Sequence, residues 1–251
     1  MKYLVKFCIL FVLYIFSFSC CHSAEEETLI IFDASVSMLD NFYGKPKYII
    51  AVDEAKSVLD KIQSDRKIGL RTIGVTFDSA LIAFIKDPSQ LCKSTQLVVP
   101  IRHNNIQYIK NSLDSIFPLG TTPLTFTLDT AINYDFTKSS ELKHIILVTD
   151  GGESCNGDPC KYIRELMSYR NDIKIDIIAI GVGSDDFKQL KCLTDSTYGT
   201  ILNIEKPNEL KSAFSQFLSP EFLNIPNNLK YNKQQNKQRI IYKNYLIETY
   251  E

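Results

Sequence analysis

The sequence predicts a single α/β domain built on a doubly wound, mostly parallel sheet with helices on both faces. Short, β-branched apolar runs alternate along the chain with amphipathic segments of helical period. Most of these runs are continuous rather than alternating, which is typical of strands buried on both faces. The 251 residues, 45% hydrophobic and 23% charged, suffice for one sizeable core with extensions at its ends.

The predicted elements follow one another in a regular order. The predicted strands are "TLIIFD" (28–33), "KIGLRTIGV" (67–75), "KHIILVTD" (143–150), "IKIDIIAIGV" (173–182) and "GTILNIE" (199–205). Helices are predicted over 46–63, 104–117, 123–134, 159–170, 184–195 and 207–218. This alternation implies parallel strands joined by right-handed crossovers. Residues 76–101 break the pattern, and "SALIAFIK" and "TQLVVPI" within them predict an edge strand or a hairpin.

Residues 1–24 have the layout of a secretory signal peptide. Two early lysines precede the apolar run Phe7–Phe18, and small residues and three glutamates follow it. The run is short for a spanning helix, which needs about 20 apolar residues. We expect cleavage near Ala24 and a periplasmic, cell-envelope or secreted protein. An uncleaved anchor, or a lipid on Cys20 or Cys21, is the alternative and the only membrane contact that the sequence suggests.

Residues 25–218 form the predicted domain, and residues 219–251 a polar, basic linker and tail. The tail region is rich in Asn, Gln, Lys and Pro, a composition typical of solvated chain. The formal net charge of the whole protein is −1, and no concentrated basic face is visible. We therefore expect no nucleic-acid partner.

Four cysteines remain once the signal segment is removed, an even number that predicts disulfides in an oxidising compartment. The turn residues within "CNGDPC" (155–160) favour a local Cys155–Cys160 bridge. That pairing leaves Cys92 with Cys192. A zinc site is the rival interpretation, but the spacing is not that of a CxxC motif and no histidine lies near these cysteines in sequence.

Two predicted central strands end in an acid, Asp33 after the first and Asp150 after "HIILVT". The carboxyl ends of parallel strands share one edge of a sheet, and ligands bind there where the winding reverses. Neighbouring carboxylates repel each other unless a positive charge lies between them. Ser35 and Ser37 add hydroxyl oxygens after the first strand, and Thr122 adds another in the turn "PLGTTPL". Such an all-oxygen set suits Mg²⁺ or Mn²⁺, whereas a helix-cap role is the alternative for Thr122.

These three elements resemble the metal-ion-dependent adhesion site (MIDAS) of von Willebrand factor A (vWA) domains. The matching elements are "DASVSM" (33–38), "GTTPL" (120–124) and "TDG" (149–151), in that order along the chain. The resemblance covers about residues 28–218 and is strongest to exported bacterial members. It implies a vWA fold and binding of a protein partner.

The resemblance also implies a role for each matching residue. Ser35 and Ser37 would ligate the metal directly, Thr122 directly or through water, and Asp33 and Asp150 mainly through water. One coordination position would stay open for a Glu or Asp carboxylate of a protein partner. Val36 departs from the glycine that is common between the two serines, which predicts a bulkier loop. Thr121 is the alternative to Thr122, although the position before Pro123 fits the family pattern better.

Enzyme interpretations have less support. Ser154 in "VTDGGESCNG" lacks the G-x-S-x-G elbow and a recognisable triad histidine. Aspartyl-phosphate chemistry at Asp33 would need a second carboxylate where Ser35 stands. Glu153 and Asp158 are expected to be helix caps, or alternatively to shape the rim of the metal site. We expect a non-catalytic binding domain; the alternative is an envelope-assembly protein with a vestigial metal site that acts through its tail.

Overall fold

The computed structural model describes residues 26–62, 65–74, 88–137 and 142–218. Its strands, in chain order, are β1 (Glu26–Asp33), β2 (Asn41–Phe42), β3 (Lys45–Pro46), β4 (Lys67–Ile73), β5 (Thr95–Arg102), β6 (Leu142–Thr149), β7 (Ile173–Ile180) and β8 (Ile201–Ile204). Its α-helices are α1 (Lys47–Leu59), α2 (Ile106–Asp114), α3 (Leu124–Thr130), α4 (Pro159–Met167), α5 (Ser184–Ser196) and α6 (Pro207–Leu218). Short 3-10 segments span Val36–Leu39 and Pro88–Lys93.

The central sheet has the strand order β5-β4-β1-β6-β7-β8, and only β5 runs antiparallel to its neighbour. From β1 the chain winds outward to β4 and β5, then returns to β6 on the other side of β1. The winding therefore reverses between β1 and β6, where Phe32 lies opposite Val148. This confirms the doubly wound fold and places Asp33 and Asp150 at the same edge of the sheet.

Successive residues of β1 face two different apolar clusters. Ile30 and Phe32 pack with α1, α2 and α6 on one face of the sheet. Leu29 and Ile31 pack with α3, α4 and α5 on the other face. Because side chains of a strand alternate between faces, a strand covered on both sides needs apolar residues at successive positions, as β1 has from Leu29 to Phe32. Each of these buried side chains contributes about 1.5–3 kcal/mol of hydrophobic stabilisation.

The third predicted helix differs most from expectation. Its α-helical part, α3, ends at Thr130 and continues as a π turn over Ala131–Asp135. Asp135 at the end of this turn accepts hydrogen bonds from Arg71 of β4, at 2.6 Å and 2.7 Å. Both side chains are almost fully buried, so this ion pair anchors the turn against the sheet. The pattern of apolar residues carries no signal for such a change in helical pitch.

The prediction over residues 76–101 is confirmed in part. Its second half forms the antiparallel edge strand β5, whereas "SALIAFIK" (79–86) lies outside the described residues. The signal-peptide, anchor and lipidation predictions for residues 1–24, and the tail prediction for 219–251, also lie outside them and stay predictions. Within the described ranges, no helix is both long enough and apolar enough to span a membrane.

The predicted disulfide pairing is wrong. Cys92 pairs with Cys155, and Cys160 pairs with Cys192, with Cα–Cα distances of 5.4 Å and 5.7 Å. The reason is a helix start within "CNGDPC". Asp158 caps α4 by accepting a hydrogen bond from the Lys161 amide, so the chain becomes helical at Pro159 instead of closing a local turn.

This helix start sends the two neighbouring cysteines to different partners. Cys160 lies in the first turn of α4 and bonds to α5, which carries Cys192, whereas Cys155 precedes the helix and bonds to the 3-10 segment that carries Cys92. The bonded cysteines are 63 and 32 positions apart in sequence, respectively.

Candidate metal centre

Asp33 ends β1 and is completely buried. Its Oδ1 accepts a hydrogen bond from the Ser35 amide at 2.8 Å, and its Oδ2 accepts one from Thr149 Oγ1 at 2.6 Å. Burial raises the pKa of Asp33 to about 6, and repulsion from Asp150 adds to the rise, while the bonds from Thr149 and Ser35 oppose it. Asp33 thus ties the loop after β1 to the end of β6.

The two serines after β1 bring their hydroxyls together. Ser35 Oγ and Ser37 Oγ lie 3.0 Å apart, and Ser35 is the donor because the single hydroxyl proton of Ser37 is directed at Asp150. Ser37 Oγ in turn donates to Asp150 Oδ1 at 2.7 Å. Ser35 is buried and Ser37 is exposed, so the row of oxygens opens to solvent at Ser37.

Asp150 follows β6 directly, and its side chain is only 1% exposed. Its two oxygens have different partners: Oδ1 accepts from Ser37, and Oδ2 accepts from Lys47 Nζ at 2.7 Å. Lys47 is the first residue of α1, and its side chain is 12% exposed. The site therefore contains an ammonium group that no sequence motif indicated.

Thr122 lies in the loop that borders the serines. The Val36 amide donates to Gly120 O at 3.2 Å, which joins this loop to the one after β1. Thr122 is buried, and its amide donates to Ser154 Oγ at 2.8 Å. Thr121 points elsewhere, because its hydroxyl donates to Leu91 O at 2.9 Å. The hydroxyl of Thr121 is therefore directed away from the serines, which leaves Thr122 as the predicted ligand in this turn.

The helix-cap alternative for Thr122 finds no support, because α3 is capped by another residue. Glu153 accepts hydrogen bonds at 2.7 Å from both the amide and the hydroxyl of Thr125, in the first turn of α3. Asp158 caps α4. Both acids thus act at helix starts, as the capping interpretation expected. Ser154, the candidate nucleophile, serves as the acceptor for the Thr122 amide.

Backbone hydrogen bonds of Ala34 also hold the loop after β1 in place. The Ala34 amide donates to Ile73 O at 2.9 Å, and Ala34 O accepts from the Leu119 amide at 2.7 Å. Gly74 has a φ of +95°, and a Cβ there would lie 2.7 Å from Ala34 O. Only glycine fits this position without displacing the loop. Val36, in place of the usual glycine, is 49% exposed and therefore does not crowd the hydroxyls.

The family model for the von Willebrand factor type A domain matches residues 29–216. The chain belongs to this family. Among curated proteins, YwmD of Bacillus subtilis (strain 168) is 24% identical over 201 residues, which are 80% of this chain and 88% of YwmD.

Solved vWA structures show the same fold. A von Willebrand factor type A protein from Catenulispora acidiphila superposes with a TM-score of 0.61 at 20% identity, over 80% of this chain and 43% of that chain. Proximal thread matrix protein 1 from the mussel byssus, solved with a zinc-occupied MIDAS motif, gives a TM-score of 0.58 at 17% identity. That match covers 78% of this chain and 45% of the byssus protein. This chain thus spans less than half of either solved chain.

The oxygens at this edge of the vWA sheet fit a hard divalent cation. Carboxylates and hydroxyls are the ligands that Mg²⁺ and Mn²⁺ prefer. Ser35, Ser37 and Asp150 are already joined in one row of hydrogen bonds, which a bound cation can replace with coordination. Nowhere in the described ranges do three or more His, Cys, Asp or Glu residues form a possible metal group. The hydroxyl-rich site differs from such groups, because two of its three linked oxygens belong to serines.

Sequence reasoning identified the oxygen-bearing residues of this site but missed the positively charged side chain of Lys47. A lysine at the first position of a helix is unfavourable beside the positive end of the helix dipole. Lys47 is such a residue, and the compensating charge comes from Asp150, far away in sequence. A lysine at the first position of a helix could have indicated a nearby acid, but only the fold shows that this acid is Asp150.

Proposed function

We propose that this vWA domain is an exported, non-catalytic binding module that captures a protein partner through a divalent cation. The observation that carries the proposal is the convergence of Ser35 Oγ, Ser37 Oγ and Asp150 Oδ1, linked by contacts of 3.0 Å and 2.7 Å at a solvent-open edge. The zinc-occupied MIDAS of the byssus protein supports it, because that protein shares this fold.

Each residue has a role that follows from its contacts. Ser35 and Ser37 present their hydroxyls and would ligate Mg²⁺ or Mn²⁺ directly, with Thr122 completing the set directly or through water. Asp33 is engaged by Ser35 and Thr149, and Asp150 by Ser37 and Lys47, which suits carboxylates that act through water. The bound cation would supply a Lewis acid for one Glu or Asp carboxylate of the partner.

The surroundings of Ser37 suit contact with a protein. Val36 and Leu39, in the same 3-10 segment, are 49% and 37% exposed. Apolar side chains beside a polar anchor are typical of protein interfaces. The two disulfides support export, since such bonds persist mainly in oxidising compartments.

Calorimetric titration with Mg²⁺ and with Mn²⁺ tests the proposal. The protein is expressed from its full chain into an oxidising compartment, and wild type is compared with Asp33→Ala and Ser35→Ala. Ser212→Ala, an exposed serine on α6, is the matched control. We expect saturable binding in wild type and the control, and its loss in both site variants. Equal binding in all four proteins would place the metal elsewhere and overturn the proposal.

A further inference from the structure

Lys47 places a fixed positive charge inside the candidate metal centre. Its Nζ lies 2.7 Å from Asp150 Oδ2, on the opposite side of the carboxylate from Ser37. Asp40 is its other acidic neighbour, at 4.0 Å, but the Asp40 side chain is 71% exposed and therefore strongly screened by solvent. The ammonium is thus committed mainly to Asp150.

The fold holds Lys47 in this position. Its backbone amide donates to Asp40 O at 3.1 Å, which fixes the first turn of α1 against the loop that carries the serines. Its side-chain stem passes beside Gly181, at the end of β7, where a Cβ would lie 3.9 Å from Lys47 Cε and 3.5 Å from the Phe42 ring. A buried stem with its charge directed at Asp150 is a preorganised arrangement, not a solvated lysine.

Lys47 changes the net charge of the site both before and after a divalent cation binds. Asp33, Asp150 and Lys47 together carry one net negative charge when both acids are ionised, and a divalent cation changes this to one net positive charge. Without Lys47 the loaded site would be neutral. A cation is therefore bound less tightly because of Lys47, whereas an anion is attracted more strongly once the cation is in place.

We propose that Lys47 is a specificity-determining residue that weakens metal binding in the free protein and strengthens carboxylate binding by the metal-loaded site. This inference rests on the proposed metal site and deepens it. Because Lys47 weakens the binding of metal alone and strengthens the binding of a carboxylate to the loaded site, the site favours joint occupation by a metal and an acidic partner residue. The ligand class is a carboxylate, because its charge satisfies both the open metal position and the nearby ammonium.

The test uses Mn²⁺ and acetate as probes at pH 7.5. Mn²⁺ affinity is measured by calorimetry, and acetate binding to the loaded protein by the fall in water-proton relaxation as acetate displaces water from Mn²⁺. The variants are Lys47→Met, which keeps the stem and removes the charge, and Lys47→Arg, which keeps the charge. Lys45→Met is the control, because it removes the same charge from an exposed residue of the adjacent hairpin. Circular dichroism confirms that each variant is folded.

We expect Lys47→Met to bind Mn²⁺ at least tenfold more tightly and acetate at least threefold more weakly than wild type. Lys47→Arg and Lys45→Met should stay within twofold of wild type in Mn²⁺ affinity. Opposite changes for metal and anion separate this role from a structural one, which would weaken both. Binding by Lys47→Met but not by wild type would also support the inference.

Two results would overturn it. Unchanged or weaker Mn²⁺ binding by a folded Lys47→Met variant contradicts the charge effect while leaving the metal site intact. The absence of Mn²⁺ binding in wild type and in every folded variant refutes the metal site itself, and the role of Lys47 with it. Calorimetry of Lys47→Met beside wild type therefore distinguishes failure of this inference from failure of the proposed function.

Discussion

Ser37 Oγ donates a 2.7 Å hydrogen bond to Asp150 Oδ1 and thereby joins the loop after β1 to the end of β6. The two residues lie 113 positions apart in sequence. Their contact exists because β1 and β6 are neighbours at the point where the winding of the sheet reverses. The carboxyl ends of these two strands are therefore the framework of the candidate metal centre.

Replacing Ser37 by alanine should lower Mn²⁺ affinity at least tenfold, because a direct oxygen ligand is lost. The change should also lower the urea midpoint of the metal-free protein modestly, because the buried carboxylate of Asp150 loses one hydrogen bond while its bond to Lys47 remains. Calorimetry and urea unfolding measure the two effects, with Ser212→Ala as the control. Wild-type affinity in Ser37→Ala would show that this hydroxyl is not a ligand.

Breaking the bridge between α4 and α5 should destabilise the protein. The double variant Cys160→Ser/Cys192→Ser removes the bridge without leaving a free thiol, and we expect a loss of about 2–4 kcal/mol in the free energy of unfolding. Urea unfolding of the oxidised proteins measures it. Peptide mapping without reduction should yield a fragment linking Cys92 to Cys155, whereas a Cys155–Cys160 link would contradict the structure.

Asp176 should make the free energy of unfolding depend on pH in the acidic range. Burial alone would raise the pKa of Asp176, but its contacts with His144 and Lys174, at 2.8 Å and 2.7 Å, outweigh burial and lower it. A lowered pKa stabilises the folded state above the ordinary pKa of an unfolded Asp, about 3.9. That contribution to stability is lost as the pH falls through the pKa of Asp176 in the folded state.

The variant Asp176→Asn tests this dependence. At pH 7 we expect it to cost about 3–5 kcal/mol, because it removes one partner of a buried charge cluster. The difference from wild type should begin to shrink as the pH falls below about 4, where Asp176 of the unfolded protein becomes protonated, and should continue to shrink until the pH falls through the lower pKa of the folded protein. Asp195→Asn is the control, since Asp195 is exposed and pairs with Lys191 in the same helix. A difference that is constant from pH 7 to pH 3 would exclude this explanation.

Removal of residues 220–251 should leave the metal site intact. Every contact described for Asp33, Ser35, Ser37, Thr122 and Asp150 is made by residues up to 154, so Mn²⁺ affinity should stay within twofold of wild type. Calorimetry of the truncated protein measures this. Loss of Mn²⁺ binding in a folded truncation would favour the alternative in which the tail carries the function.

The sequence predicted the fold and the oxygens of the site because both follow from local patterns. Continuous apolar runs identified the central strands, and Asp33 and Asp150 were identified as the acids that end two of them. Their proximity then followed from a general property of parallel sheets. The edge strand β5 was predicted without an order, because one short apolar run does not encode which neighbour it joins.

The features that sequence reasoning missed depend on contacts between distant elements. Lys47 stands at a helix start, and only the fold brings its side chain to Asp150, which is 103 positions away in sequence. The disulfide pairing was wrong because turn residues suggested a local bridge, whereas the cap made by Asp158 starts a helix between the two cysteines. The π turn that ends at Asp135 was likewise missed, because the ion pair of Asp135 with Arg71 of β4 has no local pattern in the sequence.

The most direct test of the central claim is a crystal structure of the oxidised protein with Mn²⁺, with the metal located by its anomalous scattering. We predict one strong peak within about 2.1–2.3 Å of both Ser35 Oγ and Ser37 Oγ, close to the range for small octahedral cations bound to oxygen. Asp33 and Asp150 should contact it mainly through water. A well-ordered loop after β1 with no peak at these hydroxyls, at a Mn²⁺ concentration that saturates the protein in solution, would contradict the account.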